Sequence, residues 1–107
     1  MSRINPAQRQ LDILKEHFDN RKFEDAKKIA IYITNKFPKY QFGWKALGTI
    51  LVELGKNSEA LNALETAVEL SPQDAEAHNN LGVTYKNLGK FDEALNSYIQ
   101  ALILNPN

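Results

Sequence analysis

His78 stands beside Asn79 and Asn80, and no other group in the sequence is so readily given a chemical role. An imidazole next to two amides can act as a general base or bind a metal ion. The second histidine, His17, lies far away in the sequence, and there is no cysteine to complete a metal site. The sequence contains neither the HExxH pattern of zinc proteases nor a phosphate-binding P-loop pattern. We therefore predict no catalytic residue, no metal site, no cofactor and no enzymatic activity.

A cluster of aromatic residues, Phe37, Tyr40, Phe42 and Trp44, is the second feature with chemical potential, because such rings stack on nucleic-acid bases. However, the chain carries 13 Lys plus Arg and 13 Asp plus Glu, so no net charge attracts a phosphate backbone. We expect no nucleic-acid partner and assign the cluster to packing between helices.

The sequence also favours a cytoplasmic protein with no membrane partner. No apolar run approaches the ~20 residues of a membrane-spanning helix. The first residues lack the apolar core of a signal peptide, and the absence of cysteine suits a reducing compartment.

The elements that must position these residues are helices. Apolar residues recur every three or four positions, as in Trp44, Leu47, Leu51 and Leu54, which is the stripe of an amphipathic helix. Gly55 follows that stripe, where a left-handed cap ends a helix. The same reasoning along the chain predicts helices near 6–19, 23–36, 42–54, 58–70, 75–88 and 92–104.

Local signals mark the turns between these helices. Gly55 and Gly89 are the predicted left-handed caps, and Ser58 and Asp92 are the predicted N-caps of the helices that follow. Small residues should allow close helix crossing, so we expect Gly48 to face Ala60 and, in the next hairpin, Gly82 to face Ala94.

An internal repeat of 34 residues organises the whole chain. Leu47-Gly48 recurs as Leu81-Gly82, and Glu59-Ala60-Leu61-Asn62 recurs as Glu93-Ala94-Leu95-Asn96. Pro38, Pro72 and Pro106 follow the same step. A weaker first copy gives three units, 7–40, 41–74 and 75–107, which together form a single domain over residues 1–107.

These residues resemble the tetratricopeptide repeat family, whose 34-residue pattern contains Trp, Leu-Gly, Tyr, Ala, an aromatic residue, Ala and Pro. The third unit is most similar, with His78 where the family has Trp, and His17 falls in the column of Tyr85. Both histidines are therefore interpreted as packing residues. The resemblance implies an all-α fold: a right-handed superhelical solenoid of three helix-turn-helix hairpins, six helices in all, with the first helix of each hairpin lining a concave surface.

The resemblance also implies a function, a protein interaction scaffold that binds a peptide or a partner protein in the concave groove. The first helices project inward Gln8, Leu11, Asp12, Lys15, Phe18, Asp19, Phe42, Lys45, Ala46, Thr49, Val52, Glu53, Glu76, Asn79, Asn80, Val83, Lys86 and Asn87. The expected peptide-binding residues among them are Lys15, Phe18, Phe42, Lys45, Thr49, Asn79, Asn80, Val83, Lys86 and Asn87.

Comparison with the binding residues of two subfamilies limits which partners we expect. Family members that capture the acidic tail of heat-shock chaperones use a clamp of Lys, Asn, Asn, Lys and Arg. Here the matching residues are Leu11, Lys15, Ala46, Glu76 and Asn80, so we expect no such clamp.

The chain is also similar to bacterial members of the family and to the repeats that precede O-linked N-acetylglucosamine transferases. Those repeats carry an Asn ladder, of which only Asn80 is present, because Asp12 and Ala46 occupy the equivalent places. An alternative function is therefore an N-terminal targeting or oligomerisation arm of a larger enzyme, such as a glycosyl- or sulfo-transferase.

The last predicted helix leaves apolar residues without a cover. Ile99 and Ile103 stand where the second unit has Glu65 and Glu69. Solenoid ends normally carry a polar face. Three interpretations are open: this hairpin pairs with a second copy in a homodimer through Ile99, Leu102 and Ile103, the chain continues into a longer protein, or a three-hairpin array tolerates a frayed last helix.

Overall fold

The computed structural model describes residues 5–107, and the helices there follow the predicted order. They are α1 (Gln8–Asp19), α2 (Phe23–Lys36), α3 (Gln41–Glu53), α4 (Asn57–Leu70), α5 (Ala75–Asn87) and α6 (Phe91–Leu104). Within this range there is no strand, and each boundary lies within two residues of its prediction. Consecutive helices pack against one another, so α1–α2, α3–α4 and α5–α6 form three stacked hairpins in an all-α helical repeat solenoid.

Glycine makes the tight turn inside the second and third hairpins. Gly55 has φ 75° and Gly89 has φ 76°, in the left-handed region that side chains disfavour. In the second hairpin, the amide of Lys56 donates to the carbonyl of Leu51 at 2.8 Å, and that of Gly55 donates to Val52 at 3.0 Å. These two bonds define a Schellman motif, so the predicted left-handed caps are confirmed.

The first hairpin makes the same turn without glycine. Arg21 takes the left-handed position with φ 60°. The amide of Lys22 donates to His17 at 2.8 Å, and that of Arg21 donates to Phe18 at 3.0 Å. This reverses the chain between α1 and α2 as Gly55 does between α3 and α4.

The predicted N-caps were wrong. The residues that precede α4 and α6 are Lys56 and Lys90, and neither makes a side-chain capping bond. Ser58 and Asp92 lie inside the first turn instead. The Schellman turn ends at the lysine and the next helix starts at once, which leaves no room for a separate capping residue.

Close approach within the hairpins depends on the predicted glycines, and the side chains nearest to them are Leu64 and Tyr98. A Cβ on Gly48 would lie 2.6 Å from Cδ2 of Leu64, and one on Gly82 would lie 2.8 Å from the ring of Tyr98. Leu64 and Tyr98 lie one turn beyond Ala60 and Ala94, the expected partners. A large side chain on the second helix thus fills the space that glycine leaves on the first.

In the first hairpin, the large and the small residue are exchanged between the two helices. Leu14 occupies the Gly48 place, and Ala30 occupies the Leu64 place. Both are buried members of the core cluster. The large residue lies on the first helix and the small one on the second, so the first hairpin keeps its core without the glycine.

Contacts between hairpins repeat with the same step. The indole Nε1 of Trp44 donates to the carbonyl of Pro38 at 2.8 Å, and His78 Nε2 lies 2.8 Å from the carbonyl of Pro72. His78 therefore makes the Trp44 contact one repeat later, as the packing interpretation expects. Gly43 lets α3 approach α2, because a Cβ there would lie 2.9 Å from Cγ2 of Ile33.

Candidate functional site

The concave side of the solenoid holds a pocket of about 510 Å³ between α1 and α3, with Glu76 of α5 at one edge. This volume is within the range of pockets that bind small ligands or side chains of a peptide. Its lining residues are Gln8, Leu11, Asp12, Leu14, Lys15, Phe18, Asp19, Tyr40, Phe42, Lys45, Ala46, Thr49, Ile50 and Glu76. We call this the α1–α3 pocket.

Apolar side chains form most of the pocket surface. Leu14 and Ile50 are buried beneath it and belong to the core. The ring of Phe42 meets that of Tyr40 edge to face at 6.4 Å and is 43% exposed, so it stands open to a ligand. On α1, Phe18 is fixed by an edge-to-face contact with Phe23 at 5.4 Å. The walls are therefore aromatic, and the base is part of the folded core.

Lys15 belongs to the polar edge on α1. Its Nζ lies 2.7 Å from Oδ2 of Asp19, one turn along the same helix. The hydrogen bond to Asp19 raises the pKa of Lys15 above its ordinary value, so the ammonium stays charged. The positive charge of Lys15 is therefore balanced by Asp19 within the fold, without a ligand.

Lys45 belongs to the polar edge on α3 and is engaged by α5 and the loop before it. Its Nζ lies 2.9 Å from Asp74 and 3.2 Å from Glu76. Asp74 also accepts from Gln41 Nε2 at 2.9 Å and caps α5 by accepting from the amide of Ala77 at 3.2 Å. Lys45 therefore lines the pocket and also links the second hairpin to the third through its ion pairs.

Hydrogen bonds determine the direction in which the pKa values of Lys45 and Asp74 are shifted. Burial lowers the pKa of Lys45, but the hydrogen bonds to Asp74 and Glu76 outweigh that effect and leave it above its ordinary value. Burial raises the pKa of Asp74, but hydrogen bonds from Lys45, Gln41 and Ala77 leave it below its ordinary value. Both groups therefore remain charged over the whole neutral range.

The pocket brings together five of the ten predicted binding residues: Lys15, Phe18, Phe42, Lys45 and Thr49. The five from the third hairpin lie outside it. Asn80 Nδ2 donates to Thr49 Oγ1 at 3.3 Å, and Asn87 Nδ2 donates to Asn57 Oδ1 at 3.1 Å.

Asn79 and Lys86 of the third hairpin are exposed, and Val83 is half-buried. Sequence reasoning did not include Leu14, Tyr40 or Ile50 among the inward residues. Tyr40 precedes α3, where no helical periodicity signals its direction, and Leu14 and Ile50 are buried members of the core cluster.

Nothing in the described part of the chain groups three or more His, Cys, Asp or Glu side chains in an arrangement that could hold a metal ion. None of the helices in residues 5–107 is both long enough and apolar enough to cross a membrane.

A second surface stands out at the end of the solenoid, on α6. Phe91, Leu102 and Ile103 are 67%, 61% and 67% exposed. In α4, Leu61 and Val68 occupy the places of Leu95 and Leu102, and there they are half-buried because α5 packs against α4. The α6 face therefore has the apolar character of a surface that a further helix would cover.

Helical hairpins repeated at a constant step, with a pocket on the concave side, define the class of helical repeat proteins. The tetratricopeptide repeat model matches residues 75–107, and a second TPR repeat model matches residues 48–89. Together they span more than half of the sequence, and the chain belongs to the tetratricopeptide repeat (TPR) family. A comparison with curated protein sequences found no match.

Solved structures with the same fold include TPR domains and larger proteins. The first TPR of Spaghetti (RPAP3), bound to the HSP90 peptide SRMEEVD, aligns with a TM-score of 0.91 at 21% identity, covering 99% of this chain and 86% of that one. MamA MSR-1 aligns with a TM-score of 0.84 at 22% identity, covering 91% of this chain and 56% of that one. MamA AMB-1 gives 0.80 at 24% identity and coverages of 84% and 53%. The chain spans about half the length of these MamA structures, and at such identities the likeness shows the fold.

Proposed function

We propose that this TPR domain is a non-catalytic interaction module that holds a segment of a partner polypeptide in the α1–α3 pocket. The observation that carries the proposal is the pocket itself: an aromatic and aliphatic surface on the concave side, surrounded by polar groups. Pockets of this composition bind by burying an apolar side chain, while polar groups at the edge set its orientation. The cytoplasm is the proposed compartment, because the sequence has no cysteine for the disulfides common outside it.

A peptide complex on the same fold supports this proposal but names a different ligand. The first and second TPRs of Spaghetti (RPAP3) are bound to the HSP90 peptide SRMEEVD. In this chain the clamp positions hold Leu11, Lys15, Ala46, Glu76 and Asn80, which lack the cationic set for a carboxylate tail. We therefore expect SRMEEVD to serve as a negative control.

The proposal is tested by filling the pocket. Thr49 lines the pocket and hydrogen-bonds the carbonyl of Lys45, while Thr66 makes the same bond to Asn62 on α4, outside the pocket. We expect Thr49→Tyr to lose the partners that the wild-type chain recovers in pulldown from its native host, and Thr66→Tyr to keep them. Thermal melts check that both variants fold. Equal recovery by both variants would contradict a role for the pocket.

The α6 face supports a second proposal, self-association. We take its occupant to be a second copy, because no charged residue occurs from Ala94 to Asn107 and two copies can meet there without like-charge repulsion. Sedimentation velocity should show a dimer that Leu102→Lys converts to a monomer. Ile31→Lys, at a 40% exposed position on α2, should leave the dimer intact. A wild-type chain that stays monomeric at every concentration rejects this proposal.

The targeting or oligomerisation arm of a larger enzyme, such as a glycosyl- or sulfo-transferase, stays an alternative proposal. It keeps the pocket as a binding surface and adds a catalytic domain downstream. The native reading frame tests it directly, because a stop codon immediately after the codon for Asn107 would exclude such a domain.

A further inference from the structure

The charged groups around the α1–α3 pocket are unbalanced. Among the described residues 5–107, the cations that line it are Lys15 and Lys45, and each is already paired. The carboxylates are Asp12, Asp19 and Glu76 in the lining and Asp74 beneath Lys45. Counted over residues 5–107, two lysines and three carboxylates line the pocket and Asp74 contacts Lys45, so this part of the chain gives the pocket an excess of negative charge.

Asp12 is the carboxylate that is open to a ligand. Its Oδ1 accepts a hydrogen bond from Gln8 Nε2 at 3.0 Å, and no Lys or Arg of residues 5–107 pairs with it. Glu76 is exposed at the other side of α3 and shares Lys45 with Asp74. Further along the concave face, the exposed Glu53 and Lys86 add one charge of each sign, so the excess is unchanged.

We infer that the pocket selects a cationic segment, in which a large apolar side chain enters between Phe18 and Phe42 and flanking Lys or Arg residues approach Asp12 and Glu76. This inference rests on the proposed function and specifies its ligand class. An acidic segment is disfavoured, because both pocket lysines are satisfied within the fold and the remaining charge repels it. The same fold that holds the acidic HSP90 peptide in another protein therefore carries the opposite preference here.

The test uses four fluorescein-labelled peptides of equal length: GSKKFKKSG, GSSSFSSSG, GSEEFEESG and GSKKAKKSG. Fluorescence anisotropy at low salt should rank the first peptide tightest, with a Kd about tenfold lower than that of the Glu peptide. Replacing Phe by Ala should abolish saturable binding of the Lys peptide. Added salt should narrow the gap between the Lys and Glu peptides, since the Debye length falls to ~8 Å at physiological ionic strength.

Matched variants assign the preference to the pocket. Asp12→Asn removes a pocket charge and should weaken the Lys peptide about threefold, while leaving the Ser peptide unchanged. Asp92→Asn removes the same charge from α6, outside the pocket, and should leave the binding of both peptides unchanged. Equal weakening by the two variants would show that net charge alone is responsible and would overturn the inference.

The outcomes separate this inference from the proposed function. Binding of the Glu peptide as tightly as the Lys peptide, still prevented by Thr49→Tyr, overturns the charge preference and leaves the pocket as a binding site. If no peptide binds saturably while Thr49→Tyr still removes partners in pulldown, the inference is wrong and the proposed function stands. If no peptide binds and the pulldown is unchanged, both are rejected.

Discussion

Arg21 shows how a single residue can do the work of a glycine at a cost. It holds φ 60° in the turn where the second and third hairpins have Gly55 and Gly89. The left-handed region costs a residue with a Cβ about 1–2 kcal/mol. Its guanidinium lies 5.3 Å from the centre of the Phe23 ring, a contact that offsets part of that cost.

We predict that Arg21→Gly stabilises the chain by about 0.5–1 kcal/mol, the relieved strain less the lost ring contact and the greater freedom of glycine when unfolded. Urea unfolding measures the change. Lys22→Gly, next to it at φ −89°, is the control and should lower stability, because no strain is relieved there. A destabilised Arg21→Gly would show that the Phe23 contact, and not the backbone, dominates this turn.

The role of a single residue was predictable where another repeat has a residue at the equivalent position. His78 was interpreted as packing because Trp44 stands one repeat earlier, and both contact a proline carbonyl. Ser58 and Asp92 failed as N-caps because residue type favoured them, whereas the N-cap residues Lys56 and Lys90 lie two positions earlier in the chain. The residue type of Arg21 gave no signal of a left-handed conformation, and its alignment with Gly55 one repeat later is the feature of the sequence that marks the turn.

At the scale of elements, Asp74 links two hairpins. It begins α5 as the N-cap and reaches Lys45 of α3 at 2.9 Å, with 21% of its side chain exposed. A capping carboxylate also interacts favourably with the positive end of the helix. The single loop residue therefore fixes how α5 starts and where α3 lies against it.

We predict a pH-dependent stability from this link. Because the folded-state pKa of Asp74 is lowered from 3.8, its contribution is fully present above the unfolded value and is lost as the pH falls through the folded one. Asp74→Asn keeps an N-cap but loses the ion pair, and should be about 1 kcal/mol less stable at neutral pH. Urea unfolding from pH 7 to pH 3 should show the gap between wild type and variant closing below about pH 4.

Lys45→Gln is the matched variant for that experiment. It removes the same ion pair from the other side, so combining it with Asp74→Asn should add less than the two separate losses. A gap that persists unchanged to pH 3, or full additivity of the two variants, would contradict the link between α3 and α5.

Helix positions followed from the apolar period and the repeat, but side-chain pairing between helices did not. Phe42, Lys45 and Thr49 were expected on the inward side of α3 from the resemblance to the repeat family, and all three line the α1–α3 pocket. That Lys45 is already held by Asp74 depends on a loop conformation and on two residues 29 apart in sequence. The hydrogen bond from Asn80, one of the expected binding residues, to Thr49 was likewise not predicted from the sequence.

At the scale of the whole molecule, the constant step between hairpins determines what the chain offers to other molecules. The step places α1 and α3 side by side on the concave surface, which creates the pocket. It also leaves the α6 face uncovered, because the helix that would stack there in a further repeat is not part of residues 5–107. The repeat predicted an uncovered last helix and, through the resemblance, a concave groove, while the structure places the pocket between α1 and α3 with Glu76 of the third hairpin at its edge.

Site-specific photocrosslinking in the native host is the most direct test of whether a partner polypeptide binds in the α1–α3 pocket. Phe42 and Tyr32 are exposed aromatics, 43% and 49% accessible, and only Phe42 lines the pocket. With benzoylphenylalanine at position 42, we expect irradiation to trap a partner polypeptide, and with the same group at position 32 we expect none of that adduct. Thr49→Tyr should remove the adduct at position 42. An adduct of equal yield at both positions, or one that persists with the pocket filled, would contradict binding in the α1–α3 pocket.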